Sequence, residues 1–133
     1  MVQYTFAALD QWTKKTEKRI DAVLKDAAQS VIAVAQTSKE HGGRMPVITN
    51  KLRGSLQSSI AGGASGEGES SHILVAPLMK GGDLATFTWT AKYARPVNNG
   101  RNGRPGARFV EGAVDQWPAI VRASIRKAKV AVR

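Results

Sequence analysis

Leu84-Ala85-Thr86-Phe87-Thr88-Trp89-Thr90-Ala91-Lys92-Tyr93 alternates without a break between apolar and polar positions. Phe87, Trp89, Ala91 and Tyr93 fall on one side of an extended chain and Thr86, Thr88 and Thr90 on the other. That is the pattern of a strand with one face on a core and one face in water. Upstream, Gly81-Gly82-Asp83 reads as a turn, and Ile73-Leu74-Val75-Ala76, closed by Pro77, reads as a short buried strand. A small antiparallel sheet is therefore expected in the middle of the chain, and the rest must supply what covers it.

The covering elements are helical. From Phe6 to about Ser38 the residues Leu9, Trp12, Ile20, Val23, Leu24, Ala27, Val31, Val34 and Ala35 share an arc of about 140° on a helical wheel. Lys14, Lys15, Lys18, Asp21 and Lys25 lie on other faces, Thr5 is a candidate N-cap, and Gly42-Gly43 stops the pattern. A helix of this length spans ~45 Å. A compact chain of this size is only about 36 Å across. The helix is thus expected to overhang its own domain or to bend, and an overhanging apolar stripe calls for self-association. Residues 46–60 suggest a short helix capped by Thr49 or Asn50, with Leu52 and Leu56 as its apolar residues. Ala61 to Ser71 is rich in Gly and Ser, as a mobile connection or hairpin loop would be.

The last segment repeats apolar residues at helical spacing: Val110, Ala113, Val114, Trp117, Val121, Ile125 and Ala128. Pro118 either kinks this helix or sits in the first turn of a new one capped by Asp115. The expected fold is one α+β domain over residues 1–133. In it, a long N-terminal helix and a C-terminal helix pack on a small antiparallel sheet, with a short helix between. Leu52, Leu56, Phe87, Trp89, Phe109, Val110, Val114 and Trp117 are the expected core.

The chain has 133 residues, with 20 Lys+Arg against 10 Asp+Glu, and its excess charge of +10 is unevenly placed. Residues 1–91 hold ten basic and eight acidic side chains, whereas residues 92–133 hold ten and two. A basic third suggests a face for polyanions or acidic protein surfaces. Its densest part is Arg95 to Arg108, where Arg95, Arg101, Arg104 and Arg108 sit among glycines and prolines without an acid. That segment is expected to be a mobile loop that orders against a partner. With no cysteine, disulfides and thiolate chemistry are excluded. No apolar run reaches the ~20 residues that a bilayer requires, and no secretory signal opens the chain, so a soluble product with no membrane partner is expected.

Catalytic constellations are missing. His41 and His72 stand in polar contexts without spaced carboxylates and read as solvated loop residues. Glu67 and Glu69 fall in a Gly/Ser loop too loose for acid–base work, and Glu111 and Asp115 read as charges at a helix start. No serine lies in a Gly-x-Ser-x-Gly context and no phosphate-binding loop is present. Neither an enzyme nor a cofactor nor a metal is expected. A small basic nucleic-acid-binding accessory protein is the alternative, with the four arginines and Arg122, Arg126, Lys127, Lys129 and Arg133 on phosphates. No sequence-reading motif accompanies them.

Three stretches together carry a family resemblance. Pro46-Val47-Ile48-Thr49-Asn50-Lys51-Leu52-Arg53-Gly54-Ser55-Leu56 resembles a Pro-Val-Asp-Thr-Gly-x-Leu-Arg-x-Ser-Ile motif. Tyr93-Ala94, followed by Val97 and Gly100, resembles Tyr-Ala-x-x-Val-Glu-x-Gly. Arg104 to Val114, with Ala107, Phe109 and Ala113, resembles a Pro-Ala-x-Pro-Phe stretch opening a final helix. In this order, behind a long N-terminal helix, they resemble the tail-completion (tail-terminator or neck) proteins of long-tailed bacteriophages. Ile48, Asn50 and Asn98 depart from the pattern, which has Asp, Gly and Glu there.

The resemblance implies a structural virion protein, assembled in the bacterial cytoplasm and resident in the tail or neck. It implies a homo-oligomeric ring, a hexamer that can be monomeric in isolation, at the head-proximal end of the tail tube. Partners would be the tail tube protein and a head-closure or neck protein, with DNA passing through the lumen. Pro46, Thr49, Asn50, Leu52, Arg53, Tyr93, Gly100 and Phe109 would be motif residues that shape the fold. Arg95, Arg101, Arg104 and Arg108 would contact the partner.

Overall fold

The computed structural model describes residues 6–46, 51–101 and 103–131, with Arg101 and Arg104 described through their backbone. Helix α1, Phe6–Ala35, leads through a 3-10 turn at Lys39–His41 to a single helical turn, α2, Lys51–Gly54. Strands β1, Leu56–Ile60, and β2, Ser65–Glu67, form a hairpin. Helix α3, Ser71–Val75, runs into a 3-10 turn at Ala76–Leu78, and strand β3, Ala85–Trp89, follows. Helix α4, Ala94–Asn99, precedes a two-residue hairpin of β4, Gly100–Arg101, and β5, Arg104–Pro105. Helices α5, Phe109–Asp115, and α6, Trp117–Ala131, close the chain.

The three-stranded sheet has the order β2-β1-β3 and is antiparallel throughout. Its register places Leu56 opposite Trp89, Ser58 opposite Phe87 and Ile60 opposite Ala85, so these six side chains share the covered face. Ala28 of α1, Ile60, Val75, Ala76 and Met79 form one buried cluster, with Ala85 and Phe87 packed against it. A second cluster gathers Ala35, Met45, Leu52, Ala94, Phe109 and Ala113, and Trp89 meets Phe109 edge to face at 5.2 Å. Leu52 and Phe109, from the first and third motif stretches, thus meet in one core, while Tyr93 stays exposed at the start of α4.

Two buried polar devices tie these layers together. Gln36, just past α1, donates from Nε2 to the carbonyls of Arg53 and Glu69 and accepts from Trp89 Nε1 at 2.9 Å. Ser58 and Ser71 share a 2.8 Å hydroxyl contact that holds α3 on β1. Both are fully buried without an orphaned atom, which is the condition under which polar groups are tolerated in a core. The α6 helix is fixed on α1 by Ser124 Oγ donating to Asp26 at 2.6 Å and by Lys127 on the same carboxylate.

The α+β architecture and the terminal helices agree with the sequence reading; the expected strand Leu84–Tyr93 forms only over Ala85–Trp89, and Tyr93 is exposed ahead of α4 instead of facing the core. Several other local expectations do not hold. Leu56 belongs to β1 rather than to the short helix, because alternate positions Leu56, Ser58 and Ile60 are buried. Ile73-Leu74-Val75-Ala76 is helical rather than a strand, and Ile73 and Leu74 face outward. The Gly/Ser stretch Ala61–Ser71 contains β2, and Ser71 is buried. Pro118 opens a new helix, but Asp115 is the last residue of α5 and not the cap of α6. Val114 and Trp117 are exposed and not core, because α5 buries Phe109, Gly112 and Ala113 and α6 buries Ser124 and Ala128 instead. The expected cap Thr5, the motif residues Thr49 and Asn50, and Arg133 lie outside the described residues.

Candidate assembly surface

Helix α1 outruns its own domain. Its 30 residues span ~45 Å, yet Ala7 to Lys14 are exposed on every side. Trp12 is 67% exposed and Leu9 49%, on the same stripe that is buried further along at Ala27 and Ala35. Backbone demands are met inside the helix: Thr13 and Thr16 donate to the carbonyls of Leu9 and Trp12, and Asp10 pairs with Lys14 at 3.1 Å. Leu9 and Trp12 are thus apolar side chains left in water among the described residues.

Where α6 joins α1, the stripe opens into a depression of about 360 Å³ lined by Thr16, Arg19, Ile20, Val23, Leu24, Ile125, Ala128 and Lys129. Its floor is aliphatic and its rim carries the cations. It lies on the same helical stripe as Leu9 and Trp12, and exposed apolar surface of this kind marks protein–protein contacts.

The arginine-rich segment is built into regular structure rather than left as a loop. Val97 and Asn98 carbonyls accept from the amides of Ala107 and Arg108 at 2.8 and 3.1 Å, folding the β4–β5 hairpin back on α4. Asn98 is the centre of this fold: its Oδ1 accepts from the Val110 amide, and its Nδ2 donates to both oxygens of Glu111. Gly106 passes so close to the Asn98 carbonyl that a β-carbon there has no room. A Glu at position 98 would face Glu111, whereas the amide of Asn98 bonds it.

The four arginines separate in role. Arg95 is exposed on α4 beside a shallow hollow that includes Trp89 and Phe109. Arg108 takes a left-handed backbone, φ 54°, and its side chain lies 3.9 Å from Glu111. Arg101 and Arg104 face each other across the hairpin in register. Of the motif residues, Pro46 is half-buried, Leu52 and Phe109 are core, Gly100 ends α4 at φ 91°, and Arg53 pairs loosely with Glu69 at 3.7 Å.

One histidine differs from its sequence reading. His72 lies in α3, is only 4% exposed, and its Nδ1 has no hydrogen-bond partner among the described residues. Burial holds its pKa below the usual imidazole value, so the ring is neutral at pH 7. It borders a polar hollow of about 340 Å³ with Arg53, Glu69, Ser70 and His41, whose Nδ1 is 2.7 Å from Ser38 Oγ. Among the described residues no three His, Asp or Glu side chains are grouped to hold a metal ion, and no helix is long and apolar enough to cross a membrane.

Sequence reasoning missed a second apolar surface. Ile73, Leu74, Pro77 and Leu78 are all exposed along α3 and the 3-10 turn after it. Their spacing, two pairs four residues apart, is helical. Taken as a strand, the same run pointed to burial instead. Comparison with protein-family models, curated proteins and solved structures finds no match to this chain.

Proposed function

We propose that this chain is a structural subunit of a tailed-phage virion that forms a ring at the head-proximal end of the tail tube, ends tube growth and offers the surface that joins the tail to the head or neck. The observation that carries the reading is the exposed overhang of α1, with Leu9 and Trp12 in water among the described residues. An isolated monomer gains nothing by exposing them, whereas burying each against a neighbour contributes about 1.5–3 kcal/mol. The resemblance of the three motif stretches supplies the setting, and the basic hairpin between α4 and α5 supplies a second contact for an acidic tube or neck surface. The reading involves no catalysis and no cofactor.

Complementation tests it. Replacing Arg95, Arg101, Arg104 and Arg108 by Ser is expected to leave the circular dichroism spectrum unchanged while tails accumulate that do not join heads. Normal virions from that variant would overturn the reading. The basic residues of this segment and of the last helix also favour a second reading, a nucleic-acid-binding accessory protein. Tight duplex binding that weakens steeply with salt in a mobility-shift titration would select it. Weak binding together with multimeric mass selects the ring.

A further inference from the structure

The molecule carries two apolar surfaces of opposite electrostatic character, far apart along α1. The overhang and the turn of α1 that follows it, residues 7–19, bear Lys14, Lys15, Lys18 and Arg19 against Asp10 and Glu17, with Lys14 and Asp10 already paired. The stretch from Ser65 to Leu84, which holds the outward face of Ile73, Leu74, Pro77 and Leu78, bears Glu67, Glu69 and Asp83 against Lys80. In a chain of net charge +10, this second stretch is net negative.

Neither surface can cover the other within one copy. The turn after α3 is tied to the middle of α1 by the Gly81 amide donating to Asp21 at 2.7 Å. Ile73 lies further along still, at the hollow that includes Ala33 and Thr37. Leu9 and Ala33 are separated by ~36 Å of one helix. Two overhangs facing each other would set lysines against lysines. An overhang laid on the α3 face of another copy instead sets apolar on apolar and base on acid.

We infer that copies associate head to tail, the α1 overhang of one seating Leu9 and Trp12 on the Ile73–Leu78 face of the next. Such a contact is heterologous, and a rotation that closes makes a ring. The inference rests on the proposed function for the claim that copies assemble, and adds which surfaces meet.

The absence of cysteine makes cross-linking a clean test. Full-length Trp12→Cys and Leu74→Cys variants, kept reduced, are exposed to a mild oxidant each alone and as a mixture, with and without uncapped tail tubes. The mixture is expected to give a disulfide dimer and neither variant alone any dimer above background. The double variant is expected to give a ladder of multimers. A dimer from Trp12→Cys alone, equal to that of the mixture, would overturn the inference in favour of symmetric α1 pairing. No cross-link in any mixture would overturn it as well. If cross-links fail while the wild-type chain still completes tails, the surfaces are wrong and the ring reading stands. If the ladder forms but virions need no such protein, the head-to-tail contact stands and the ring reading falls.

Discussion

Gln36 and His72 show opposite ways of burying a polar side chain. Gln36 satisfies three groups at once, the carbonyls of Arg53 and Glu69 and the indole N–H of Trp89. Gln36→Leu keeps the bulk and orphans all three, so unfolding free energy should fall by about 2–4 kcal/mol in urea titration. His72 is buried with an Nδ1 that has no partner among the described residues, and its pKa is lowered by burial. Its unfolded value is about 6.5, so between that value and the lower folded one the unfolded chain binds more protons. Stability is therefore full above that window and falls as pH drops through it. Urea midpoints should decline as pH falls below about 6.5, and His72→Gln should flatten that slope. Neither role was legible in the sequence. Ser71 and His72 are polar neighbours that read as loop, yet both are buried, Ser71 against Ser58.

At the scale of elements, the pattern was readable where it was long. Thirty residues of α1 and the alternation through Phe87 and Trp89 give one answer each. Short runs did not. Leu56 and Ile60 are four apart, which suits a helix as well as a strand, and the intervening inward residue is Ser58, polar yet buried. Ile73 to Ala76 is apolar at every position, so its period is undefined and the turn chemistry around it decides. The Arg95–Arg108 segment looked too polar to order, because the residue that organises it is Asn98 and not an apolar one. Gly106→Ala would push a methyl group into the Asn98 carbonyl and open this hairpin. A loss of over about 2 kcal/mol is expected, read by thermal unfolding and by lost amide protection at Ala107 and Arg108.

For the whole molecule, the overhang was legible from length alone, since ~45 Å of helix exceeds a body about 36 Å across. The acceptor surface was not, because the run that forms it was assigned to a buried strand. The charge map follows the same division: a basic overhang and hairpin, and an acidic stretch around α3. The central claim is that one copy is an unfinished unit. Native mass spectrometry of the purified chain, alone and eluted from uncapped tail tubes, tests it most directly. The account predicts a closed multimer of the 14.2 kDa subunit on the tubes, lost in Trp12→Asp and retained when the four arginines are replaced. A chain that stays at the mass of one subunit at every concentration, with tubes and without them, would contradict it.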